Sequence, residues 1–425
     1  MLLFALTYLR QLQNVLTDLK KIACQGHCAT IFLLVMTMSA GAQSNPAALW
    51  NLRTLFQTPT MRWLNSDTSR IRSLVYRGET YGSIAKTDVF AYYATPGSLA
   101  GKPELDQHLP GVILVHGGGG KAFAEWAELW ARRGYAALAM DLSGRGFDGK
   151  RLPNGGPDQD SLHKFSSIDS TGDKQWVYHA VANVIRAHSL LRSLPGVDSG
   201  RTAITGISWG GFLTCIVVGL DPRFTAAVPV YGCGFIEQPG GFFYEKEFGT
   251  LTTDQKKRWT ARYDPQHFVG KAHLPMLWVN GTNDMFYPPN IFSRTYSLVK
   301  SPKNYSITTT LKHGHIEGWT PPEIGWFVDS YLTHGTPLPV LSVIGRRSGR
   351  VQAVVSGSSP IKLATLSFTT DSTLPYRERY WQTRPANVSG NRIIADAPPA
   401  QTTIWLLNVT DERGATVSSA YQFER

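Results

Sequence analysis

One serine stands between two glycines at a telling distance: Gly206-Ile-Ser208-Trp-Gly210, preceded by the apolar run Thr202–Ile204 and followed by the helix-like stretch Phe212–Val218. A strand, a very tight turn and a helix put that serine at the apex, and the glycines two positions away leave room for the turn. Its hydroxyl would sit over a helix N-terminus, where developing negative charge is stabilised. The chemistry is nucleophilic attack on an acyl carbon. A serine hydroxyl needs a base to take its proton, and the base needs an acid to hold its tautomer. Asp284 supplies the acid, placed by Gly281-Thr-Asn just after an expected strand Met276–Asn280. His313-Gly-His315 supplies the base after a second expected strand, Tyr305–Leu311. The chain order serine, aspartate, histidine is the one a nucleophile elbow implies.

His315 is the preferred base. Gly314 permits a tight loop, and His315 lies four residues beyond the expected strand end, which gives it reach. His313 is the alternate, and the histidine not used as base would organise the loop. The run His116-Gly-Gly-Gly-Gly120 opens an oxyanion hole, since consecutive glycines let backbone N–H groups face a substrate. Gly118 is the expected donor, with Gly119 as alternate, and the Trp209 amide is the second donor. Each such donor lowers the barrier by roughly 3 kcal/mol. His116 is expected to brace the loop. Phe286, Tyr287 and Trp319, beside the loops that carry the acid and the base, are expected to line the pocket. The Gly-, Pro- and Asp-rich loop Asp141–Asp173 and the aromatic insertion Gly232–Trp259 are expected to shape its entrance.

Such loops need a sheet to carry them. Ile71–Arg77 and Thr87–Ala94 read as an antiparallel strand pair, and Gly111–His116 as a strand buried on both faces. From there strands and helices alternate through Thr333, which implies a doubly wound, mostly parallel α/β sheet covered on both sides. Thr320-Pro-Pro-Glu323 has capping-box spacing for the last helix. After a linker at Thr333–Pro339 the helical period vanishes, and six or seven short strand-like runs suggest a small all-β sandwich. The expected organisation is a signal peptide over residues 1–42, a lead-in over 43–70, the catalytic α/β domain over 71–335 and an accessory sandwich over 340–425.

The 425 residues carry a formal charge of +11, but the cations are scattered and no nucleic-acid motif accompanies them. Nucleic acid is not an expected partner. Arg10, Lys20 and Lys21 precede the apolar run Ala29–Met38, and Ala40-Gly-Ala42 offers a small-x-small cleavage site. The run is shorter than the ~20 residues of a membrane span. Export to the periplasm or beyond is therefore expected, with no stable membrane partner afterwards. Cleavage would leave Cys215 and Cys233, either as one disulfide or as two buried thiols.

Together, Leu114-Val-His-Gly-Gly-Gly-Gly120, Gly206-Ile-Ser-Trp-Gly-Gly211, Gly281-Thr-Asn-Asp284 and His313-Gly-His315 resemble the α/β-hydrolase superfamily. The nearest likeness is to its acetyl xylan esterase, dienelactone hydrolase and prolyl-oligopeptidase-like branch, over about Ile71–Leu332. That resemblance implies Ser208 as nucleophile, Asp284 as orienting acid, His315 as base, no cofactor and no metal. It points to an ester substrate, a small molecule or acetyl groups on a polysaccharide. Three rivals remain. A peptidase of the same branch differs in the bond cleaved. A metal-dependent hydrolase would use the two histidines at i and i+2 as ligands. A non-catalytic carbohydrate binder would use Trp381 and Trp405 of the sandwich to stack on sugars.

Overall fold

In the computed structural model, residues 46–309, 311–357 and 359–424 are described, and the expected signal segment lies outside them. The first sheet has nine strands: β1 (Met61–Trp63), β2 (Arg72–Arg77), β3 (Asp88–Ala94), β4 (Leu109–Val115), β5 (Ala136–Met140), β6 (Val197–Ile207), β7 (Ala226–Val230), β8 (Met276–Gly281) and β9 (Lys303–Thr308). Their spatial order is β1-β2-β3-β5-β4-β6-β7-β8-β9. β1, β2 and β3 run antiparallel to their neighbours, and the six from β5 to β9 are parallel. The doubly wound, mostly parallel sheet is thus present. Its central strands are uniformly apolar because both faces are covered: β5 and β7 are buried along their whole length.

Six helices matter for the site: α1 (Ala124–Arg132), α2 (Trp176–Leu191), α3 (Trp209–Val217), α4 (Thr253–Tyr263), α5 (Pro289–Ser297) and α6 (Pro322–Leu332). α2 is buried almost all round. The residues before it in sequence explain this. Trp50 and Leu55 are core, the Trp50 indole donates to Tyr178 O at 2.9 Å, and Ser189 Oγ donates to Leu55 O at 2.9 Å. The lead-in segment therefore covers the outer face of α2, and β1 extends the sheet to Met61, upstream of the boundary expected at residue 71.

The capping box at Thr320 does not form. Thr320 closes the preceding short helix His315–Trp319, its Oγ1 donating to Ile316 O at 2.6 Å, and α6 starts at Pro322 without a side-chain cap. The Glu323 carboxylate is drawn away to accept the Thr416 amide at 2.7 Å, so it cannot reach back to a cap.

Beyond α6 the chain is all antiparallel: β10 (Val340–Arg347), β11 (Arg350–Ser356), β12 (Ile361–Thr369), β13 (Gln382–Ser389), β14 (Arg392–Asp396), β15 (Ile404–Asp411), β16 (Thr416–Ser418) and β17 (Gln422–Phe423). β10 to β16 form one hydrogen-bonded path, in the order β10-β11-β14-β13-β12-β15-β16, and β17 pairs with β15 off that path. β13 pairs with β12 through Ala386 and with β14 from Asn387, so a single strand passes between the two halves of the domain. Trp405 is core there, its indole donating to Glu424 Oε1 at 2.7 Å, and Trp381 is half-buried near Tyr421. Among the described residues no helix is long and apolar enough to cross a membrane.

Candidate active site

The elbow closes as its glycines require. β6 ends at Ile207, α3 begins at Trp209, and Ser208 between them holds φ 57 and ψ −116. A side chain rarely accepts that conformation, and it persists only where the surroundings over-determine it. A Cβ on Gly206 would collide with Gly210 O, and one on Gly210 with Val115 O. The turn is therefore packed against the end of β4, and Ser208 N donates to Val230 O of the neighbouring strand at 2.9 Å. Backbone on both sides leaves the serine side chain one way out.

His313, and not the preferred His315, meets that serine. His313 Nε2 lies 2.9 Å from Ser208 Oγ, and His313 Nδ1 lies 2.6 Å from Asp284 Oδ2. The expectation for His315 is corrected, and its physical reason is the strand end. β9 stops at Thr308, three residues before Leu311, so the reach that favoured residue 315 falls to residue 313. His315 instead opens a short helix, its Nε2 accepting the Gly117 amide at 3.0 Å and its ring packed on Phe123. Burial lowers its pKa to about 4, with the nearby His116 and His313 adding to the effect. It is neutral at neutral pH, as an acceptor nitrogen must be. The two rings thus serve different partners and do not converge as metal ligands. Among the described residues no cluster of three or more His, Cys, Asp or Glu is arranged to hold a metal.

Asp284 is buried, and its second oxygen is occupied. Oδ1 accepts the Phe286 and Tyr287 amides at 2.9 and 2.8 Å, which leaves Oδ2 aimed at the imidazole. The loop carrying His313 is held from below: Tyr231 Oη donates to Lys312 O at 2.7 Å, and its ring lies 4.4 Å from the His313 ring.

Gly118 and Gly119 both face the cavity beside Ser208 and Trp209. Among the described residues neither amide nor the Trp209 amide has a hydrogen-bond partner. Gly118 packs close to the Trp209 indole and Gly119 has φ 67, a conformation suited to glycine. His116 braces this loop, its Nε2 accepting the Leu142 amide at 2.9 Å and its Nδ1 lying 2.7 Å from Gly117 O. Complete burial lowers its pKa to about 4, so it too is neutral.

The cavity at Ser208 holds about 340 Å³. Phe286 lines it as expected, its ring 4.6 Å from that of His313. Tyr287 does not, being fully buried behind the His313 ring. Trp319 does not either: it stacks on Trp126, meets Phe123 edge to face and borders a different cleft. Both were placed by nearness in sequence, which says nothing about which way a short helix or a buried loop turns its side chains. Sequence reasoning missed Lys164, Phe242, Phe243 and Glu247 as lining residues. All four lie in the two segments expected to shape the entrance, so the region was marked and the residues were not. Lys164 Nζ meets Glu247 Oε2 at 3.3 Å across the cavity wall and lies 5.1 Å from the Trp209 ring. Cys215 and Cys233 are buried free thiols.

The acetyl xylan esterase (AXE1) family model matches residues 48–235. The acetyl esterase Axe7A of Xylanibacter ruminicola is 26% identical over 238 residues, which is 53% of this chain and 53% of that protein. The chain thus spans about half the length of this curated relative. An acetyl xylan esterase structure from Paenibacillus sp. R4 has a TM-score of 0.54 at 21% identity, covering 68% of this chain and 94% of that one. Acetyl xylan esterase 1 from Thermoanaerobacterium sp. JW/SL YS485 has a TM-score of 0.52 at 16% identity, with the same coverage. At these identities the structural likeness is one of fold.

Proposed function

We propose that this chain, an α/β-hydrolase resembling the acetyl xylan esterase branch of that superfamily, is a serine hydrolase that cleaves carboxylic esters through Ser208, His313 and Asp284. The observation that carries the reading is the continuous chain from Ser208 Oγ through the His313 ring to Asp284, beside partnerless amides. Ser208 attacks the acyl carbon while His313 Nε2 takes its proton. Asp284 keeps Nδ1 protonated and the ring aligned. The Gly118 and Trp209 amides, with Gly119 adjacent, receive the oxyanion. His313 then protonates the departing alcohol, and water releases the acyl group by the reverse sequence.

The cavity fits a small acyl group: about 340 Å³, walled by Phe242, Phe243 and Phe286, is near the lower end of ligand pockets. The Lys164–Glu247 pair offers a donor and an acceptor at the same wall, which suits an alcohol carrying further hydroxyls, as in acetylated polysaccharide. Export rests on the segment of residues 1–42, read from the sequence alone.

Hydrolysis of p-nitrophenyl acetate and of an aminoacyl-anilide, in the wild type and in Ser208→Ala, tests the reading. The expected result is ester turnover that disappears in the variant. Anilide turnover without ester turnover would make the protein a peptidase, and undiminished ester turnover in Ser208→Ala would refute the serine mechanism.

A further inference from the structure

The C-terminal domain carries no residue of the Ser208–His313–Asp284 chain, yet it touches the backbone that carries two of them. Asn283, the residue before Asp284, sends its side chain into the turn Tyr376–Glu378. Its Nδ2 lies 2.8 Å from Arg379 O, 3.2 Å from Tyr376 O and 3.3 Å from Arg377 O, and its Oδ1 accepts Thr282 Oγ1 at 2.8 Å. Every polar atom of that amide is engaged, three times with the C-terminal domain. Tyr376 O also accepts the Arg379 amide at 3.3 Å within the turn, while the Arg377 and Arg379 carbonyls are left to an outside donor, as the last carbonyls of a helical turn are.

The turn is itself held within its domain. Arg379 Nε donates to Leu374 O at 3.0 Å, and Tyr380 N donates to Asp371 Oδ2 at 2.9 Å. It also reaches the pocket wall, because Tyr376 lies against Gly240 and Arg377 pairs with Glu245 at 3.5 Å, beside Phe242 and Phe243. A second set of ties reaches the strand that leads to His313. Ile307 N in β9 donates to Ser418 Oγ at 3.1 Å, and Asn408 Nδ2 donates to Ile307 O at 2.8 Å.

We propose that the C-terminal domain is a working part of the catalytic site, its Tyr376–Arg379 turn holding Asn283 so that Asp284 stays aimed at His313. Asn283 is a positioning residue in this account, which rests on the serine hydrolase reading above. A histidine whose carboxylate partner drifts away loses the charge that favours its protonated form, so its pKa falls. Misplacement of a catalytic group by about 1 Å costs on the order of 10²-fold in rate.

The test is made on the full-length protein with Asn283→Ala and, as a milder variant that keeps one donor, Asn283→Ser. Tyr296→Phe serves as a control: it removes the acceptor of the Tyr421 amide, a tie between the same two domains on α5. On p-nitrophenyl acetate, Asn283→Ala is expected to lower kcat by about 10²-fold with little change in KM, and Asn283→Ser by about 10-fold. In both, the acid limb of kcat/KM moves to lower pH. Tyr296→Phe is expected to lower Tm while kcat and the acid limb stay put. If both Asn283 variants lose Tm but keep the wild-type kcat and acid limb, the turn only docks the domain and the proposal falls. Should Asn283→Ala fail to fold, the position of the acid limb in Asn283→Ser decides. The underlying reading fails separately, by persistence of hydrolysis in Ser208→Ala.

Discussion

The Gly117 amide donates to His315 Nε2 at 3.0 Å, and this one bond commits the second histidine of the pair to holding the glycine loop. An imidazole nitrogen that accepts a backbone N–H cannot also take a proton from a serine. The division of labour between His313 and His315 follows, and it can be measured.

Removal of each ring should give different losses. His313→Ala is expected to cost about 10⁴-fold or more in kcat, as loss of a base from a catalytic triad does. His315→Ala should leave the base in place but loosen the loop that bears Gly118, at a cost no greater than the roughly 10²–10³-fold of a lost oxyanion donor. Steady-state kinetics on one ester, with both variants folded by circular dichroism, makes the comparison.

Acid should weaken the fold where neutral histidines hold it. His116 and His315 have pKa values lowered to about 4 by burial, against 6.5 for the free side chain. Between those values each ring binds more protons unfolded than folded, so its contribution to stability is full above pH 6.5 and is lost as pH drops towards 4. Asp141 and Asp264, buried with pKa values raised to about 6 and 7, act in the opposite sense. Thermal melts from pH 7.5 to 4 should therefore show a steeper fall in Tm for the wild type than for His315→Gln, which lacks one of the two rings. An equal pH dependence in the two proteins would contradict the neutral, accepting role of His315.

The elbow should tolerate no side chain at its second glycine. A Cβ on Gly210 would collide with the Val115 carbonyl, which is backbone in the middle of the sheet and cannot yield. Gly210→Ala is expected to abolish soluble expression. Gly119→Ala has open space around its Cβ but a φ of 67, so it should fold with a loss on the order of 1 kcal/mol. Expression yield and chemical denaturation would show the contrast.

Lys164 is buried with Glu247 as its carboxylate partner. Lys164→Met alone strands that carboxylate at the cavity wall, whereas Lys164→Met with Glu247→Gln removes both charges. The single variant should therefore lose more Tm than the double. On substrates, both should lose more kcat/KM for an acetylated xyloside than for p-nitrophenyl acetate, because only the former carries hydroxyls for the pair to bind.

Much of this was legible in the sequence wherever a residue type answers a local need. Gly206 and Gly210 announced a turn too tight for side chains, and the apolar run at β4 with the strand–helix alternation after it announced a sheet covered on both faces. The antiparallel C-terminal domain was announced by short runs and turn residues. What escaped depended on where chain segments end or meet. The choice between two histidines two residues apart turned on a strand end misplaced by three residues. The capping box at Thr320 was outcompeted by a tertiary bond from Glu323 to Thr416, which local pattern cannot contain. Lys164 and Glu247 belong to segments far apart in the chain, and only packing brings them to one wall.

The central claim is that Ser208 is a nucleophile activated by His313. Fluorophosphonate labelling followed by peptide mapping, in the wild type, His313→Ala and His315→Ala, tests it most directly. Modification of Ser208 that survives in His315→Ala and is lost in His313→Ala is the predicted result. Modification at another residue, or loss that follows His315 alone, would contradict it.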